Sequence, residues 1–276
     1  MDIDGLINKK PPRVLYHYTS QEGLLGIIGK KEIWATKALY LNDSKEFMYA
    51  IDLVNKVLNY PRYSGPKIDE LRERLNLIKG VNVCVTSFTK NGDLLSQWRG
   101  YGVRGVGYSL GLYGDELKKL ADENQFILCP VIYNTDQQEF LVREIIKRWI
   151  SGQHQFNGLT PMKGFDTEFE DYFAMLAPIL KDPSFKEEGE WRLISPILSN
   201  DLERYSYRAG RYSLIPYYRF PLEAPTIKFK LAKIVVGPGP MQELSDTAVK
   251  SYLTSLNLKY VDPKKVEPST IPYRGW

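Results

Sequence analysis

The chain has 276 residues, 43% of them hydrophobic and 25% charged, with a net charge of +4. That is enough for one large domain or two small ones, in an ordinary globular balance. The mild positive charge permits an anionic ligand or nucleic acid but falls short of the basic stripe of a dedicated nucleic-acid binder. The two cysteines, Cys84 and Cys129, sit in apolar runs and read as small buried hydrophobes, not as a disulfide framework. Two histidines and two cysteines, far apart, offer no zinc spacing. The opening MDIDGLINKK lacks the apolar core of a signal peptide, and no apolar run approaches the roughly 20 residues of a membrane span. The expectation is a soluble, cytoplasmic protein without a metal or a membrane partner. Its 19 tyrosines suggest a polar-lined interior or cleft, since buried hydroxyls need partners.

Residues 1–12 read as a loose lead-in closed by Pro11 and Pro12. Val14 to Thr19 reads as a strand. Ser20 then caps a helix with Glu22 in its first turn, an apolar face of Leu24, Leu25, Ile27 and Ile28, and an end at Gly29. Glu32 to Thr36 is a second strand. Asp43 or Ser44 caps a helix over 45–59, where Phe47, Ile51, Val54 and Leu58 recur at helical spacing. Residues 61–66 are a loop and 67–79 an amphipathic helix. Val81 to Thr89 alternates and predicts a strand. Asn91 to Asp93 is a turn, and Leu94 to Tyr101 a short helix. Gly105 to Leu112 is the next strand, 115–124 a helix and Phe126 to Tyr133 a strand. From 136 to 180 the pattern is helical, interrupted at 152–164. Strands follow at Glu190 to Ile194, Tyr212 to Pro216, Thr226 to Phe229 and Lys233 to Gly237. A last helix covers 241–256, and residues 260–276 read as an extended tail. With no repeat and no convincing linker, this is one α+β domain with helices inserted between mixed strands.

Few residues here can do chemistry. A nucleophilic triad needs a base, and His17 and His154 are the only histidines. There is no G-x-S-x-G elbow, no phosphate-binding G-x-x-x-x-G-K-[ST] loop and no G-x-G-x-x-G after a strand. What remains is polar points at strand ends. His17, Tyr18, Thr19 and Ser20 close the first strand, and Ser87 stands near the end of the central one. Ser96, Gln97, Trp98, Arg99 and Tyr101 follow on a helical turn. Glu188 and Glu190, two apart in an extended chain, point to the same face. Two such carboxylates are costly unless hydrogen-bonded or used.

In this pattern the chain resembles the ADP-ribosyltransferases. A strand ending His-Tyr-Thr, a short helix and a Trp-Ala-Thr strand are similar to that family's opening. The Ser-x-Phe strand with Leu-Ser-Gln-Trp-Arg-Gly-Tyr-Gly is similar to its nicotinamide-holding segment. Glu188-Gly189-Glu190 resembles its Glu-x-Glu. More closely, the chain resembles a bacterial family long of unknown function, placed among ADP-ribosyltransferase-like proteins in toxin and anti-phage contexts. Its motifs correspond to His17–Ser20, Leu41–Glu46, Ser87–Gly102, Glu188–Leu193 and Ser269–Arg274.

The resemblance implies a single ADP-ribosyltransferase-like domain over 1–276, built on a split mixed sheet. It implies cleavage of NAD at the nicotinamide–ribose bond and transfer of ADP-ribose to a macromolecule, protein, RNA or DNA. NAD would be consumed as a substrate, and a toxin would call for an antitoxin. On this expectation Glu190 is the catalytic carboxylate and Glu188 orients or deprotonates the acceptor. His17, with Tyr18 and Thr19 beside it, holds the adenosine ribose. Ser87 or Ser96 binds the nicotinamide amide, Trp98 or Tyr101 stacks on its ring, and Arg99 pairs with a phosphate. The chemistry suits so sparse a set. Nicotinamide is cationic in NAD and leaves neutral, so one carboxylate suffices where a glycosidase needs an additional acid. Bland readings stand beside these: Trp98 and Tyr101 serve equally well as core, Asn42, Asp43 and Glu46 as turn and cap residues, and Arg192 as a structural partner of the acids. A non-enzymatic nucleotide- or partner-binding module and an NAD hydrolase are the alternatives.

Overall fold

The computed structural model describes residues 3–41, 44–75, 80–101, 107–152, 169–258 and 261–273. Among these residues ten strands form one sheet: β1 Val14–Thr19, β2 Glu32–Lys37, β3 Cys84–Thr89, β4 Tyr108–Tyr113, β5 Ile127–Pro130, β6 Glu190–Ile194, β7 Tyr205–Ala209, β8 Leu214–Pro221, β9 Lys233–Val236 and β10 Val266–Pro268. Every pairing is antiparallel except β9 with β10.

The sheet branches at β3. Residues 85–89 of β3 pair with β6, which pairs in turn with β5. Val85 is also paired with Thr36 of β2, and Thr89 with Tyr16 of β1. A strand has two hydrogen-bonding edges, so β1 and β2 share the edge that β6 leaves free. From there two arms diverge, β1-β4-β9-β10 and β2-β8-β7. Between them Thr86, Ser87 and Phe88 pair with neither arm, a split about 10 Å long at the usual rise per residue.

Helices cover both faces. α1 (Ile3–Ile7), α3 (Ser44–Leu58), α4 (Pro66–Arg74), α7 (Thr135–Ser151) and α8 (Phe169–Leu176) build one core against Val85, Cys129 and Ile194. α2 (Gln21–Lys30), α6 (Gly114–Glu123) and α9 (Gln242–Leu256) build the other against Leu15, Phe88, Leu110 and Leu193. α5 (Leu95–Tyr101) follows β3. Both cysteines are free and buried, and burial pushes each thiol up to about 12.

Ser20 caps α2 as its sequence suggests, accepting from the Gly23 N–H at 3.2 Å. The helix runs past Gly29 to Lys30 and is ended by Lys31 in the left-handed region. Four other expectations need correcting. The lead-in contains α1, whose Leu6 and Ile7 are buried in the core. Thr226–Phe229 is no strand: Ala224 and Ile227 bond each other across a local turn, while Ile227 and Phe229 fill the core. Tyr212 lies in the turn before β8, where the Gly210 N–H donates to the Ser213 carbonyl. The extended tail contains β10, docked parallel to β9. His154, Asn42, Asp43 and the expected break at 152–164, apart from Gly152, lie outside the described residues.

Candidate functional site

His17 stands at the split. Its Nδ1 lies 2.9 Å from the Ser87 carbonyl, on the stretch of β3 that pairs with neither arm. A carbonyl only accepts, so Nδ1 carries the proton and Nε2 is left as an acceptor. The ring packs at a tilt on Phe88, with centroids 5.8 Å apart. Burial lowers the His17 pKa; the bond to Ser87 opposes this without cancelling it, so the neutral form is favoured. Across the split Thr86 Oγ1 donates to the Trp34 carbonyl at 3.2 Å, which ties β2 to the same stretch. Thr19 continues β1 onto the first turn of α2. A side chain at Gly23 would meet its Oγ1 at 1.9 Å, so only glycine leaves that hydroxyl its place.

Beyond β3 the chain turns through Asp93 into α5. The Tyr18 hydroxyl organises this turn, donating to the Asn91 carbonyl and accepting from the Leu94 N–H, each at 2.9 Å. Trp98 packs edge-on against Tyr18 with centroids 4.6 Å apart, and it is 1% exposed. Its Nε1 donates to Asp93 at 2.8 Å. Asp93 also accepts from Ser269 Oγ at 2.5 Å, from the Thr270 N–H at 2.9 Å and from Thr270 Oγ1 at 3.1 Å. Burial would raise this carboxyl; the hydrogen bonds from Ser269, Thr270 and Trp98 outweigh it and lower the pKa. Two stretches noted separately in the sequence, Ser87–Gly102 and Ser269–Arg274, thus meet on one carboxylate. Arg99 is exposed and lies over the Tyr273 ring, 5.1 Å from its centroid.

The two glutamates form a separate cluster. A 3-10 turn, Pro183–Glu188, ends at Gly189 in the left-handed region (φ 52°), where the chain swings into β6. Glu190 is 5% exposed. Its Oε1 accepts from Arg192 Nε at 2.6 Å, and its Oε2 from Arg192 Nη2 at 3.1 Å and Lys181 Nζ at 2.8 Å. Lys181 also donates to Glu188 Oε2 at 2.5 Å, and Arg192 to the Pro178 carbonyl at 2.7 Å. Burial would raise the Glu190 carboxyl, but the charges and hydrogen bonds of Arg192 and Lys181 hold it down to about 2. The Glu190 N–H donates to the Tyr133 hydroxyl at 3.1 Å, and the Thr89 hydroxyl to the Glu188 carbonyl at 2.5 Å. The Glu188 side chain is 20% exposed.

The expected site residues therefore fall into three groups. His17, Thr19 and Ser87 meet at the split, but Ser87 gives His17 its carbonyl and not its hydroxyl. Tyr18, Trp98 and Arg99 belong to the α5 turn, with Trp98 in the core; Ser96 is exposed there, and the Tyr101 side chain lies outside what is described. Glu188 and Glu190 lie across β3. Glu190 is opposite Thr89, which is opposite Tyr16, so it stands two strand spacings from β1, about 10 Å. Successive residues alternate faces, which puts His17, with Phe88 and Leu110, on the opposite face from Glu190. His17 and Glu190 do not converge as corners of one cleft. Lys181 and Asp93 were not found from the sequence. Lys181 stands alone before a proline-bearing turn and Asp93 reads as an ordinary turn residue, so neither carries a local signal.

A family model described as Protein of unknown function (DUF2971) matches residues 97–193. That range takes in Trp98 and the Glu188–Arg192 cluster but not His17. No curated protein and no solved structure matches the chain.

Proposed function

We propose that this chain cleaves the nicotinamide–ribose bond of NAD and transfers ADP-ribose to a macromolecule. The observation that carries this reading is the split on β3. There, a stretch of β3 that pairs with neither arm and a neutral histidine with an available acceptor nitrogen meet at the junction of the two sheet arms. Nε2 of His17 suits a ribose hydroxyl, which donates to it.

The roles of the carboxylates shift. Glu190 is saturated by two cations, so in this reading it anchors the turn, and Glu188, partly exposed, is the working carboxylate. The carbon–nitrogen bond between ribose and nicotinamide breaks, and its electron pair leaves with nicotinamide. Glu188 stabilises the cationic sugar. The acceptor's nucleophile then bonds to the same carbon, and its proton passes to Glu188 and on to water. The toxin or defence setting, and any antitoxin, rest on the resemblance alone.

The test is nicotinamide release followed by NMR, with cell lysate supplying acceptors. The wild type releases nicotinamide, Glu188→Gln lowers kcat at least tenfold, a modest demand for a group acting in the transition state, and His17→Ala lowers kcat/KM about tenfold through weaker NAD binding. No release from the wild type overturns the reading. A second reading, a nucleotide-binding module without turnover, is favoured by the saturation of Glu190; NAD binding without release selects it.

A further inference from the structure

The β2-β8-β7 arm carries a surface that the NAD chemistry does not use. From 204 to 222 the sequence has four arginines, five tyrosines and no acidic residue. Register places Trp34 opposite Arg219, and Thr36 opposite Tyr217 on the same face. Arg208 follows on that face two residues after Ser206, the partner of Tyr217. The Trp34 ring rests on Tyr217 with centroids 4.4 Å apart and keeps 39% of the residue exposed. The Arg208 guanidinium lies 6.0 Å from the Trp34 centroid and donates to Thr36 Oγ1 at 3.3 Å. The Nε groups of Arg208 and Arg219 have no hydrogen-bond partner among the described residues. At the hairpin tip Arg211 and Tyr212 are exposed, the guanidinium 5.0 Å from the ring centroid. Among the described residues none of Arg208, Arg211 and Arg219 has an acidic partner, whereas Arg204 pairs with Glu32.

We propose that this face of β2, β8 and β7 is a stacking platform for single-stranded nucleic acid, with a base on Trp34 and backbone phosphates on Arg208 and Arg211. Charge complementarity selects the occupant. A cationic surface whose Glu32 is already paired with Arg204 attracts a polyanion, and planar guanidinium forks suit phosphate oxygens. A braced, exposed indole suits a base, since every base offers a π-face. An acidic peptide would satisfy the arginines but leave the Trp34 ring unused. By register Trp34 and Thr36 stand on the same face of the sheet as Glu190, so a base held on this ring lies on the face of the proposed carboxylate and not on that of His17. The inference rests on the proposed transfer for its purpose, and names the acceptor class.

The experiment measures binding without NAD, so its result is readable whether or not nicotinamide is released. Fluorescence anisotropy of labelled single-stranded DNA and RNA oligonucleotides is compared with their duplexes and with an abasic strand of equal length. Both single-stranded forms, or one of them, bind, and the abasic strand binds about tenfold more weakly or worse. Trp34→Leu, which keeps apolar packing on Tyr217, weakens binding about tenfold. Arg211→Ala, at an exposed tip where folding is not at stake, lowers the slope of log affinity against log salt by about one. Equal binding of abasic and base-bearing strands, preference for duplex, equal displacement by polyglutamate or no binding overturns the proposal.

Discussion

Two carboxylates flank the central strand, Asp93 half-buried and Glu190 buried, and they are held in opposite ways. Asp93 accepts four hydrogen bonds, all from neutral donors: an indole, two hydroxyls and a backbone amide. Glu190 accepts three, all from cations. Both have lowered pKa values, so direction alone does not separate them. What separates them is what each leaves behind when removed. Without Glu190, Arg192 stays buried with a charge that lacks its closest acid. Without Asp93, the loss is confined to neutral groups, and the tail segment loses its hold on α5. One site joins charges from a single stretch, residues 181–192; the other joins distant segments of chain.

Breaking the Glu190 site has the largest expected effect. Glu190→Gln removes the charge from a buried ion cluster and costs about 3–5 kcal/mol of stability, read as a lowered urea midpoint. An unchanged midpoint would show that the cluster does not hold β6. The variant is thus a poor probe of catalysis, because lost activity and lost fold coincide. Asp93→Asn comes next, at about 1–3 kcal/mol, since the amide turns one acceptor oxygen into a donor facing the donors of Thr270 or Trp98. Its signature is local: hydrogen exchange rises at 266–273 and α5 before the rest of the chain. Uniform exchange would erase the distinction between the two sites.

The smallest effect is the pH dependence. Glu190 is lowered from 4.5 to about 2 and Asp93 lies below its ordinary 3.8. Their stabilisation is therefore full above the ordinary values and is lost as pH falls through the lowered ones. His17, lowered from 6.5, binds a proton more readily unfolded than folded, so its stabilisation also declines as pH falls below 6.5. Unfolding titrations should show a first decline below pH 6.5, absent in His17→Ala, and a second from about pH 4.5 toward 2 that Glu190→Gln reduces. A flat profile above pH 4.5 would contradict the buried neutral histidine.

Local pattern made much of this legible. β1 and β6 occupy the positions their apolar runs suggest, and the Ser20 cap is plain from residue type. β7 has no such signal, because Tyr205–Ala209 carries polar and small residues suited to an edge strand and not an apolar alternation. Thr226–Phe229 reads as a strand for the opposite reason: Ile227 and Phe229 alternate as strand residues do, but they are buried from a loop. Glu188 and Glu190 do come together, but not by the spacing of an extended chain: Glu188 ends a 3-10 turn, Gly189 is left-handed, and Lys181 bridges the two carboxylates. The opposed faces of His17 and Glu190 were not legible, since facing depends on the register of β1 and β6 against β3. The same holds for Asp93, whose partners lie 176 and 177 residues away.

That last separation imposes a timetable on synthesis. Ribosomes add about 5–20 residues per second, so roughly ten seconds or more pass between making Asp93 and making Ser269. In that interval β1, β2 and β3 exist and are free to pair, while the indole of Trp98 and the carboxylate of Asp93 await their last two partners. Any NAD chemistry that needs α5 held against Tyr18 is therefore withheld from a nascent chain until Ser269 and Thr270 have emerged from the ribosome.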